Sequence, residues 1–396
     1  MPAQAVKAVS DLLDDRSYHI EFNGHLTNHV KHAVIALAGI GATEQVIREY
    51  HTSYCRLTPY GFPLEPAREP TELIDTSNWR EFLGERKHFA AYCEFFDNEV
   101  ARKGIAGAVD EYAPYLLHGW IGAFTHATIH LGWAIWADHP AMTAESLAYL
   151  AFSFVPVLAD DRDSRPAVAA ADPWDSLLQL SSGWAQDPAF RGAVDRVITD
   201  TNSFTELHPE LSRSGLQARV AGVALADIPE LADAPTWLHA FSGTERRDRV
   251  RRAVTLLYLA VPGDFVVLHL ITSLFALETI LEQLTSKAAA DTVYDLYWAG
   301  LRIIVAAETK IPAVHKLREL GDLYAGPAAD RSGYAADEFD VIARRAWLED
   351  EEHNPKLVFV LQSWWAEDPW TGYRHAAAQF TSTPALPPSF AEPPNE

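Results

Sequence analysis

Apolar residues recur at intervals of three and four along most of the chain, the spacing of one helix face. "HVKHAVIALAGIG" carries this pattern from His29 and ends it at Gly39 and Gly41, the residue type that most easily closes a helix. "TEQVIREYHTSYC" begins with Thr43, whose hydroxyl suits a helix cap. "WREFLGERKHFAAYCEFFDNEVARKG" predicts one long amphipathic helix ending at Gly104. Residues 105–137 predict a buried helical stretch broken near Pro114. "VPGDFVVLHLITSLFALETILEQL" predicts a helix entered after Gly263 and capped by Asp264. "AADTVYDLYWAGLRIIVAAE", "NPKLVFVLQSWWAED" and "GYRHAAAQFTS" complete the helical set, and alternating strand patterns are scarce. The expectation is a mainly α fold, one large helical domain over residues 1–382 with a metal site buried between its helices. The Pro-rich stretch 383–396 reads as a loose tail, and residues 158–172 read as a polar surface loop.

Composition narrows the function. The 396 residues are 48% hydrophobic and 22% charged, as in an ordinary globular protein. The net charge of −22 would repel nucleic acid and anionic membranes. No run of eighteen uncharged apolar residues suggests a transmembrane helix. Residues 1–20 do not read as a signal peptide. Two cysteines, Cys55 and Cys93, build neither a disulfide framework nor a cysteine zinc site. A reducing cytoplasm is the expected setting.

The sixteen histidines change the picture, because many fall inside apolar segments. His29 and His32 are spaced i, i+3, and His126 and His130 are spaced i, i+4 in "FTHATIHLGWAIWA". Such spacing puts both rings on one helix face, about 5–6 Å apart at Cβ. His269 lies in "VVLHLITS", and His353 precedes "NPKLVFVL". A lone buried histidine is more often a hydrogen-bonded core residue than a ligand. Two pairs and further buried rings shift the balance toward a site for Fe, Zn, Cu or Ni.

Lys356 adds a second kind of group. With Asn354 as cap and Pro355 first, Lys356 would stand second in its helix. The positive end of the helix and an apolar setting both disfavour its ammonium form. The neutral amine reacts with carbon dioxide to give a carbamate, an anion that a metal can bind. GxSxG, GxxxxGK[ST] and HExxH are absent, and the Gly-x-Gly at Gly39 ends a helix instead of joining strand to helix.

Four blocks together resemble the questin oxidase-like family: "NHVKHAVIALAGIGA", "HATIHLGW", "LHLITSLF" and "EEHNPKLVFVL", in family order over residues 28–361. The chain departs by having Ala127 where the family often has Pro and by lacking a double histidine after the first block. The resemblance implies an oxygenase that opens a ring of an aromatic polyketide such as an anthraquinone. It further implies iron held by four histidines and a carboxylated lysine, with dioxygen as co-substrate. The expected Fe(II) ligands are His29, His126, His130, His269 and the carbamate of Lys356, with His32 and His353 as acid–base or orienting residues. His32 in place of His29, and His353 in place of His126, remain open. Trp133, Trp136 and Trp364 are candidate walls for an aromatic substrate. Three rivals stand beside this reading: an NADPH-dependent Baeyer–Villiger-type monooxygenase without a stable metal, a zinc hydrolase, and a non-catalytic polyketide-binding protein.

Overall fold

The computed structural model describes residues 6–158, 167–200, 211, 214–325 and 337–382. The expected tail at 383–396 and most of the expected loop at 158–172 lie outside these residues. The longer helices are α1 (Val30–Gly39), α2 (Glu44–Arg56), α3 (Phe89–Leu116), α4 (His126–Trp136), α5 (Pro140–Phe152), α6 (Pro173–Gln186), α7 (Pro188–Thr199) and α8 (Gly215–Leu225). They continue with α9 (Gly243–Ala260), α10 (Phe265–Leu281), α11 (Lys287–Ala307), α12 (Val314–Ala325), α13 (Asp337–Ala346), α14 (His353–Glu367) and α15 (Thr371–Ala377). Among the described residues the one sheet is a two-residue antiparallel pair, Glu21–Phe22 with Leu26–Thr27. The mainly α expectation therefore holds. No described helix is long and apolar enough to cross a membrane.

Several element ends follow from the residues named above. Thr43 accepts from the Val46 N–H at 3.4 Å. Asp264 accepts from Val266 and Val267 at 2.9 and 3.0 Å, satisfying two donors that the first turn of α10 leaves free. Three expectations are corrected. The helix expected from Trp79 begins at Phe89, after two short 3-10 turns at Trp79–Phe82 and Arg86–His88. Gly104 does interrupt the helix, at φ 71°, but the helical path resumes and continues to Leu116. Pro114 stands inside α3 and forgoes its own ladder bond, yet the helix runs on to Leu116. The break comes later, at Ala123, Phe124 and Thr125, all with positive φ (49°, 52° and 70°).

Four helices form a closed ring of contacts at the centre. α10 lies along α4, α4 touches α1, α1 packs on α14, and α14 returns to α10. Burial of their apolar faces supplies the main drive. Where α4 meets α10 the backbones come very close. A Cβ on Gly132 would stand 2.3 Å from the Ala276 Cα, so only glycine fits. α5 backs α4 on its other side and packs in turn on α3.

Candidate metal centre

Each helix of the ring brings a titratable group to the same buried space. His29 caps α1, and His32 follows one turn later. His126 opens α4 directly after the left-handed turn. His269 lies on the second turn of α10, and His353 opens α14 with Lys356 three residues on. His29, His32, His126, His269, His353 and Lys356 are all buried. The ring centroids of His29 lie 4.6 Å from His126 and 4.7 Å from His353; those of His269 lie 4.7 Å from His126 and 4.8 Å from His353.

The backbone fixes which nitrogens carry protons. His126 Nδ1 is 2.6 Å from the Ala123 carbonyl, and His269 Nδ1 is 2.7 Å from the Phe265 carbonyl. A carbonyl can only accept, so each Nδ1 is the donor and each Nε2 keeps its lone pair in the neutral ring. Those two Nε2 atoms face one another at 2.9 Å. His353 Nδ1 bonds the Glu351 carboxylate, which leaves its Nε2 a bare lone pair, and that atom is buried without a partner among the described residues. His29 Nδ1 lies 2.9 Å from Lys356 Nζ. Ring nitrogens of His29, His126 and His353 all lie within 4.8 Å of one another. Neutral imidazoles backed through Nδ1 by carbonyls or a carboxylate are the usual donor set of a transition metal. Facing lone pairs also want a cation between them, so these residues fit a metal ion.

The charges agree with that fit. Burial holds His29, His32, His269 and His353 well below the ordinary imidazole range and brings His126 down to about 3, with Lys356 among the further causes. Burial also lowers the Lys356 amine, against the pull of Glu352 and Glu351. Burial and the neighbouring Glu351 raise the Glu352 carboxyl. Glu352 accepts from the Tyr60 hydroxyl at 3.1 Å through Oε1, while its Oε2 has no partner among the described residues.

The sequence-predicted residues divide. His29, His126, His269, His353 and Lys356 come together. His130 stands one layer out: its Nδ1 is 2.6 Å from His32 Nε2, and its Nε2 is 3.4 Å from Glu145 Oε2. Both its nitrogens are thereby occupied, although it shares a face with His126. The helix of Lys356 is capped by Glu352, not Asn354, so Lys356 is fourth rather than second. Asn354 instead exchanges two hydrogen bonds with the Thr381 backbone. The tryptophans expected to wall the substrate pack elsewhere in the core: Trp133 and Trp136 on Phe359, and Trp364 on Tyr373. The rings against the histidines are Phe124 and Phe265. Glu145, Lys31, Glu351 and Glu352 were missed. A lone carboxylate in the apolar "PAMTAESLAYLAF" and a lone lysine in "NHVKHAVIAL" were the available signals.

The sequence profile of the questin oxidase-like family matches residues 26–361. The chain belongs to this family. It is accordingly an oxidoreductase, in line with the names of its relatives. It is 25% identical over 325 residues to a Baeyer-Villiger oxidase of Pestalotiopsis microspora, covering 76% of this chain and 69% of that protein. It is 25% identical over 374 residues to the oxidoreductase AflY of Aspergillus parasiticus, covering 87% of this chain and 69% of that protein. It is 26% identical over 164 residues to the questin oxidase of Aspergillus terreus, covering 38% and 36%. The matched span contains every residue of the histidine cluster and Lys356.

Proposed function

We propose that the chain is a non-haem iron-dependent oxygenase that cleaves a carbon–carbon bond in an aromatic polyketide ring. The proposed ligands are His29, His126, His269, His353 and a carbamate formed from carbon dioxide on Lys356. The observation that carries this is the facing pair of Nε2 lone pairs on His126 and His269, beside the unpartnered Nε2 of His353. A bound iron(II) would supply activation of dioxygen. The chain's own residues do the rest. Carbonyls of Ala123 and Phe265 and the Glu351 carboxylate hold three rings with Nε2 inward. Burial brings the Lys356 amine down to about 8, toward the neutral form that reacts with carbon dioxide. Phe124 and Phe265 pack against His269 and His353 and supply the apolar, aromatic surroundings that a ring-shaped substrate would meet there. A cleft of about 690 Å³ between α2 and residues 347–350, lined by Tyr50, Tyr54 and Trp347, is the proposed approach. The Tyr54 hydroxyl accepts from the His29 backbone N–H at 3.1 Å, which ties that cleft to the cluster.

The names of the relatives favour a second reading, a Baeyer–Villiger-type oxidase, for which we propose NADPH as the reductant. Elemental analysis of the purified protein, with dioxygen uptake measured with and without NADPH, separates the two. The Lys356→Arg variant is the sharper test. It keeps a positive charge and cannot form the carbamate, so bound iron and dioxygen uptake should both be lost. A variant that binds iron and turns over like the parent would overturn the carbamate site.

A further inference from the structure

A chain of buried polar contacts leaves the centre on its α1–α4 side. His32 Nε2 is 2.6 Å from His130 Nδ1, His130 Nε2 is 3.4 Å from Glu145 Oε2, and Lys31 Nζ is 2.5 Å from the same oxygen. All four side chains are buried. The far end, His32 Nδ1, has no partner among the described residues. The ring of His32 lies 5.6 Å from that of His29, edge to face, so His32 borders the cluster.

Protons along such a chain have one consistent order. Lys31 is a donor only, and it keeps Glu145 an ionised acceptor. Burial opposes that charge, yet Lys31 and His130 hold the carboxyl far below the usual range. Glu145 therefore accepts from His130 Nε2–H. Neutral His130 then has a lone pair on Nδ1 and accepts from His32 Nε2–H. Neutral His32 is left with a lone pair on Nδ1. The logic is that of a carboxylate fixing the tautomer of a catalytic imidazole, extended by one ring.

We propose that Glu145, anchored by Lys31, is a positioning residue that acts through His130 to present His32 Nδ1 to the centre as an unprotonated acceptor. His32 would then accept a hydrogen bond from a substrate hydroxyl at that atom and so orient it. The inference rests on reading the histidine cluster as the reactive centre.

The test reads tautomers directly, in metal-free protein labelled with 15N-histidine. Long-range 1H–15N correlation should show a single form in the parent, with His130 and His32 both protonated at Nε2. In a Lys31→Met/Glu145→Leu variant the buried ion pair is replaced by apolar side chains of similar volume, a change folds often tolerate. His130 then loses its acceptor, and the single form should give way to a mixture at both rings. Glu145→Gln is the conservative control. Its amide oxygen can accept from both Lys31 and His130, so the parent pattern should persist. A parent with His32 protonated at Nδ1, or a double variant that keeps the parent pattern, overturns the proposal. Iron binding by the parent, measured separately, tests the metal reading: tautomers that behave as expected without iron uptake would sink that reading and leave the relay standing.

Discussion

Acidification should destabilise the metal-free protein steeply, and the slope can be worked from the cluster. His29, His32, His126, His269 and His353 are held neutral in the fold, chiefly by burial. In the unfolded chain each titrates near its ordinary value of about 6.5. Below that pH the unfolded state binds protons that the folded state refuses, so stability falls as pH falls. Between pH 6 and pH 5 each ring contributes a loss of about 1.2 kcal/mol, or about 6 kcal/mol for the five together. Glu352 works the other way. Its raised carboxyl stays protonated in the fold at this pH while the unfolded one is mostly ionised, which offsets about 1 kcal/mol. The net loss of about 5 kcal/mol is comparable with the whole stability of many domains. Urea titrations of chelator-treated protein at pH 6 and pH 5 measure it. A loss below about 2 kcal/mol would refute the picture of five neutral, buried rings.

Two further substitutions probe the frame that holds the site. Gly132→Ala places a methyl 2.3 Å from the Ala276 Cα, so α4 and α10 must part; a loss of about 1–3 kcal/mol in urea titrations is expected. Asp264→Ala removes two hydrogen bonds at the start of α10 and the 2.8 Å ion pair with Lys310, and should lower stability by about 1–2 kcal/mol.

The helical architecture was legible because three-to-four spacing and single capping residues such as Thr43 and Asp264 are local signals. The turn at Ala123–Thr125 was not, because three consecutive left-handed residues without glycine have no local signature; tertiary contacts must hold them there. At the site, the histidines stood out as polar residues in apolar helices. Spacing could say that His126 and His130 share a face, but not that Glu145 from α5 and His32 from α1 would claim both nitrogens of His130. That outcome depends on which neighbours the fold supplies. Glu351 and Glu352 sit in the acidic run "EDEEH", and such a run normally marks a solvated surface. Here the chain turns inward at the start of α14 and buries both.

This cluster is a burden on the metal-free fold, and that gives a way to weigh it. The Nε2 atoms of His126 and His269 face each other at 2.9 Å with no proton to share once each Nδ1 is committed to a carbonyl. Unmet buried acceptors cost about 1–3 kcal/mol each. Replacing the pair with apolar side chains of similar size removes both lone pairs and gives up only the two Nδ1 bonds, worth about 1 kcal/mol apiece. His126→Leu/His269→Leu should therefore leave the metal-free protein as stable as the parent or more so, in spite of altering the centre of the core. The same variant should lose tight iron binding. Chelator-treated parent and variant compared by urea titration give the first result, and elemental analysis gives the second. A variant several kcal/mol less stable than the parent would mean that the two histidines are structural hydrogen-bonding residues that the core needs. Equal or greater stability with loss of metal would mean that the fold tolerates them for the sake of what they bind.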